Sequence, residues 1–155
     1  MTNILAIETS SVHCSIGLSK NKEIYSMHSQ EENSHGKLIF GFIKDLLKKS
    51  QLEKEDIDLI ALSIGPGSFT GLRVGCSVAQ GLAFGLKKKI LPLSSLNILA
   101  QNVFLDGEAE HLYIVKEAHM NDLYVGKFAR KHNDLAYPLI AVSYTHLRAH
   151  ETLNH

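Results

Sequence analysis

Short apolar runs alternate along the chain with longer segments in which apolar residues recur every three or four positions. Residues 4–7 (ILAI) and 58–64 (DLIALSI) are continuous apolar runs, which are typical of strands covered on both faces. The polar cluster at 20–22 separates two further runs and predicts a hairpin turn. The predicted strands are residues 4–7, 12–18, 23–28, 58–64, 90–93, 111–116 and 123–128.

Three segments between these runs have helical spacing: residues 34–50, 72–89 and 95–104. The first has a four-residue recurrence that forms one broad apolar stripe, made of Leu38, Ile39, Phe42, Ile43, Leu46 and Leu47. This stripe either covers the sheet or packs in part against another protein. The order βββαβαβαββ predicts an α/β fold, a mixed sheet with helices on its faces.

Four glycines, Gly71, Gly75, Gly81 and Gly85, lie in the second predicted helix or directly before it. Each glycine in a helix interior costs about 1 kcal/mol relative to alanine. We therefore expect so many only where a strand, a neighbouring helix or a ligand approaches the helix closely.

A glycine-rich turn, GPGSFTG, joins the strand at 58–64 to this helix. Its glycines permit close backbone approach, and the N–H groups at the helix start favour an anion. A loop that contacts phosphate and a rigid structural turn with a serine or threonine cap are equally consistent with this pattern. The residues concerned are Gly65, Gly67, Ser68, Thr70 and Gly71.

Composition narrows the function classes. The chain of 155 residues has 16 Lys plus Arg against 16 Asp plus Glu, so no positive field favours autonomous binding of nucleic acid. Its two cysteines form no CxxC pair. No apolar run approaches the roughly 20 residues needed to span a bilayer. We expect a cytoplasmic protein without a membrane segment. His146 and His150 are four residues apart, but no Cys or carboxylate completes a metal-ligand set at sensible spacing. No Ser-His-Asp set is evident either, so no catalytic or metal residues are predicted.

Five sequence elements occur together in the order and approximate spacing of the TsaB family, formerly called YeaZ. They are ILAIETS, NSHGKLIFGFIKDLL, GPGSFTGLRVGCSVAQGLAFG, PLSSLNILA and EAHMNDLYVGKF. The resemblance covers about residues 1–141. It implies the actin-like ATPase (ASKHA, ribonuclease H-like) fold, with residues 1–105 as the N-terminal subdomain and 106–141 as the start of a truncated second subdomain.

The resemblance also implies a function. TsaB proteins are non-catalytic subunits of the complex that makes N6-threonylcarbamoyladenosine in tRNAs reading codons that begin with adenine. Such a subunit scaffolds the TsaD transferase, a TsaE ATPase joins the assembly, and tRNA is reached only through the complex. We expect no cofactor of its own, and ATP or ADP at most within the complex.

The family's interface helices would place a partner surface on Leu38, Phe42, Leu46, Gly75 and Ala79, and a homodimer through the same helices is the alternative. A second function is an ASKHA kinase or ATPase that binds ATP with Glu8 and the 65–70 loop. Glu8 stands where such enzymes usually have aspartate, and a longer carboxylate displaces a metal-bound water, which disfavours hydrolysis.

The last segment, residues 142–155, differs from the rest. It contains three of the nine histidines, at 146, 150 and 155, and has no apolar period. Its sequence resembles a translated adapter or vector. We therefore expect this tail to be non-native and without function.

Overall fold

The computed structural model describes residues 2–29, 35–118, 122–131 and 134–146. By internal contacts the chain divides into two units, Met1–Ser95 and Leu96–His155.

A five-stranded mixed sheet forms the centre of the first unit. Its strands lie in the order β3-β2-β1-β4-β5. The meander pairs β1 with β2 and β2 with β3 antiparallel, whereas β4 runs parallel to both β1 and β5. Asn21 and Lys22, both with positive φ, make the tight turn between β2 and β3 that the polar cluster predicted. The strands are β1 Ile4–Glu8, β2 Ser15–Lys20, β3 Glu23–His28, β4 Leu59–Ser63 and β5 Lys89–Leu93.

Two helices of the first unit pack on this sheet and on each other. Helix α1, His35–Ser50, contacts β2 and β3, and helix α2, Phe69–Leu86, contacts β1, β4 and β5. The apolar stripes of both helices and alternate residues of the strands form one core, where burial of side chains such as Leu5 and Leu46 removes apolar surface from water. At the end of α1, Lys20 Nζ donates to the Ser50 carbonyl at 2.6 Å, which satisfies a terminal helix oxygen.

The second unit is a three-stranded antiparallel sheet with a helix against it. Helix α3, Ser95–Asp106, starts at the last residue of the first unit and is followed by β6 His111–Glu117, β7 Asp122–Arg130 and β8 Ala136–His146, in the order β6-β7-β8. Its core is Leu96, Ala100, Phe104 and Phe128.

Arg130 secures the turn between α3 and β6. Its guanidinium group lies 5.3 Å from the Phe104 ring centroid and 3.1 Å from Asp134 Oδ1, and it donates to the Gly107 and Ala109 carbonyls. The predicted boundary between subdomains lies after residue 105, whereas the contacts divide the chain before Leu96. The reason is that α3 packs onto Phe128 of β7 and so belongs with the second sheet.

The predicted α/β architecture is confirmed, with all three helices and all seven strands present. Strand β2 begins at Ser15, so the prediction that it starts at 12 was wrong, and α2 begins at Phe69 rather than 72. Strand β8 and a short 3-10 helix, Lys54–Asp56, were not predicted. Within the described residues, none of the helices is both long and apolar enough to cross a membrane.

Candidate functional site

The glycine-rich loop after β4 is held by backbone contacts with its own chain. Gly65 has φ +95°, a conformation that favours glycine, and its carbonyl accepts a hydrogen bond from the Ser95 N–H at 2.8 Å. A Cβ on Gly67 would overlap the carbonyl oxygen of Ser10, in the loop between β1 and β2. The same Ser10 oxygen accepts the Ser68 N–H at 2.8 Å, so the two loops are in direct contact.

Ser68 is the N-cap of α2. Its hydroxyl oxygen accepts the Gly71 N–H at 3.2 Å and so satisfies one of the free amides at the helix start. The Pro66 carbonyl accepts the Ser95 hydroxyl at 2.6 Å. Of the two interpretations of this loop, these contacts favour the rigid turn, because the Ser68 amide and the Gly71 amide already bond to protein oxygens.

The glycines of α2 fall into two groups with different surroundings. Gly71 and Gly75 are buried, and a Cβ on Gly75 would overlap the Thr9 hydroxyl oxygen, so the end of β1 approaches the helix here. Gly81 and Gly85 are exposed, and a Cβ on either would meet nothing within 4 Å. The close approach expected at Gly75 is therefore made by the end of strand β1 of the same chain.

Three of the five residues predicted to line a partner surface do not reach the surface of the unit. Leu46 and Ala79 are fully buried, and Gly75 lies against Thr9. This part of the prediction is corrected, because the apolar stripes of both helices pack on their own sheet. Leu38 and Phe42 are half-buried, and Phe42 packs against the core cluster.

The exposed side of α1 and α2 carries a different set of residues, which we call the helix-pair surface. Phe84 is 90% exposed, Phe69 64% and Phe40 59%, although each is large and apolar. Two shallow hollows lie along this surface. One, of about 280 Å³, separates α1 from α2, and the other, of about 250 Å³, lies between the start of α2 and the end of β4. The surface comprises Gly36, Phe40, Phe69, Arg73, Ser77, Gly81 and Phe84.

Arg73 is the charged residue common to both hollows. Its guanidinium carbon lies 4.4 Å from the centroid of the Phe69 ring, a cation–π contact. Ser77, one turn further along, donates its hydroxyl to the Arg73 carbonyl at 2.9 Å. This arrangement presents a fixed positive charge between apolar neighbours.

The remaining candidate groups have local partners or packing roles. The Glu8 carboxylate accepts the Ser10 N–H at 2.6 Å, within its own turn. Cys14 is buried, and this burial raises the pKa of its thiol, whereas Cys76 is half-buried and lines the second hollow. Across the described part of the chain, no three His, Cys, Asp or Glu side chains come together as a metal site would require.

Comparisons with known proteins place the chain in a family. The family model described as "TsaD: tRNA N6-adenosine threonylcarbamoyltransferase" matches residues 23–153. The tRNA threonylcarbamoyladenosine biosynthesis protein TsaB of Haemophilus influenzae is 37% identical over 128 residues, which are 83% of this chain and 54% of that relative. The TsaB protein of Escherichia coli is 31% identical over 132 residues, 85% of this chain and 57% of that relative.

A solved structure, YeaZ from Pseudomonas aeruginosa, superposes with a TM-score of 0.88 at 30% identity and covers 93% of this chain and 67% of that one. These matches define an α/β protein of the ASKHA-type fold. The chain belongs to the TsaB (YeaZ) family within the group that the TsaD family model describes. It spans between about half and two thirds of the length of these relatives.

The family-model match runs to residue 153 and so includes most of the segment predicted to be non-native. Residues 142–146 lie in β8, and 147–155 lie outside the described residues. The origin of residues 142–155 stays a prediction that resequencing of the source locus tests, since a clean continuous reading frame would contradict it.

Proposed function

We propose that this chain is a TsaB-type, non-catalytic subunit of the system that makes N6-threonylcarbamoyladenosine in tRNA. The biosynthetic role comes from the named relatives. The scaffold role is carried by one observation, an exposed apolar face on α1 and α2 that the chain's own sheet leaves uncovered. Phe40, Phe69 and Phe84 would each become buried if another protein docked there, and burial of such side chains favours association.

The proposed partner is a TsaD-like paralogue that contributes the transferase chemistry. Leu38 and Phe42 on α1 are half-buried, so they are the residues of the predicted interface that stay partly accessible to such a partner. A TsaE-like ATPase joins the assembly, and tRNA is contacted through the complex because this chain has no net charge. The complex acts in the cytoplasm.

The proposal assigns no cofactor to this chain and confines ATP or ADP to the complex. Two amides of the glycine-rich loop support this assignment, since the Ser68 and Gly71 N–H groups already bond to oxygens of the protein. The kinase or ATPase alternative is not favoured, because the relatives carry TsaB names. Calorimetry with ATP and Mg²⁺ on the isolated chain tests this point, and tight stoichiometric binding would contradict the proposal.

Coexpression with the TsaD-like and TsaE-like proteins of the same source tests the main claim. We expect modified tRNA, measured by nucleoside mass spectrometry, to depend on the presence of this chain. A chain carrying Phe84→Glu, which keeps the fold while adding charge to the helix-pair surface, should support less modification, and Ile24→Glu on β3 is its matched control. Modification that is equal with and without the wild-type chain would overturn the function.

A further inference from the structure

We draw no further inference here: the strongest candidate, the face of the β6–β8 sheet that points away from α3 and on which Tyr113, Val115 and Tyr137 are exposed, supports none because nothing in the described part of the structure shows what covers it.

Discussion

The two halves of helix α2 use glycine for opposite reasons. In the N-terminal half, Gly75 is buried and leaves room for the Thr9 side chain at the end of β1. In the C-terminal half, Gly81 and Gly85 face open space beside the exposed Phe84 ring. A glycine in the first group is required by the fold of the unit, whereas a glycine in the second group makes that fold less stable without relieving any contact.

This difference separates folding from docking within one helix. Residues that contact the sheet have their interaction partners inside the unit, so their substitution tests stability. The exposed residues lower the free energy of the isolated unit little or not at all, so their substitution tests association. The helix-pair surface consequently begins where the sheet contacts end. Four experiments test this division between folding residues and docking residues.

The largest change in the free energy of unfolding is expected for Gly75→Leu. The new side chain would overlap the Thr9 hydroxyl oxygen in a packed interior, so we expect the free energy of unfolding to fall by about 3 kcal/mol or more. Urea denaturation followed by circular dichroism measures it. Gly81→Leu is the matched control in the same helix and should leave the unit folded, because nothing lies within 4 Å of that position. Equal unfolding midpoints for the two variants would contradict the division.

Phe84→Glu is expected to affect association and spare the fold. The ring is 90% exposed, so the free energy of unfolding should change by no more than about 0.5 kcal/mol. Affinity for the TsaD-like partner should fall about 30-fold, because a charge would enter an apolar contact. Titration calorimetry measures the affinity. Ile24→Glu on β3, at a residue 78% exposed, provides the control, and an equal loss for both variants would contradict a specific surface.

Gly81→Ala should have a smaller and opposite effect on stability. Alanine improves helix propensity in open space, so the free energy of unfolding should rise by about 0.5–1 kcal/mol. If a partner helix approaches closely at this point, affinity should fall at the same time. A variant that gains stability and binds as tightly as the wild type would show that the glycine serves no close approach.

The smallest effect is expected in thiol labelling, which compares a cysteine beside the helix-pair surface with a cysteine in the core. Cys76 is half-buried in the second hollow, whereas Cys14 is buried in the core and its burial raises the pKa of the thiol. At pH 7.5 we expect Cys76 to react at least about 10-fold faster with a maleimide, since the thiolate is the nucleophile. Docking of the partner should slow Cys76 by a few-fold. Peptide mass spectrometry reports both sites, and unchanged labelling of Cys76 in the complex would place the partner elsewhere.

Most of the secondary structure followed from periodicity. The α1 stripe and the continuous run of β4 are long or strongly apolar, so their patterns survived in the fold. Strand β8 was missed for two physical reasons. The pairing of β7 with β8 shifts register around Lys127, which breaks the two-residue alternation along β8. Pro138 within β8 also argues against a strand, and it is tolerated here because β8 is at the edge of its sheet.

The candidate site was only partly predictable. Apolar spacing identified the helices, but spacing alone does not tell which part of a stripe lies on the sheet, and so Leu46 and Ala79 were assigned to the wrong side. The residues that could have revealed the exposed surface lie outside the apolar stripes. Phe40 and Phe84 occur on helix faces that are otherwise small or polar, and their side chains do not pack in the unit's own core.

The contact between Ser10 and the glycine-rich loop has a consequence for hydrogen exchange. Surface loops usually exchange their amide protons rapidly, because they open without disturbing the rest of the fold. Here the Ser68 N–H is bonded to the Ser10 carbonyl, and the Ser95 N–H is bonded to Gly65, so both amides exchange only when neighbouring strand ends separate. In deuterium oxide, the Ser68 and Ser95 amides should therefore retain their protons nearly as long as the amides of β1 and β4, and this part of the loop behaves as an extension of the sheet.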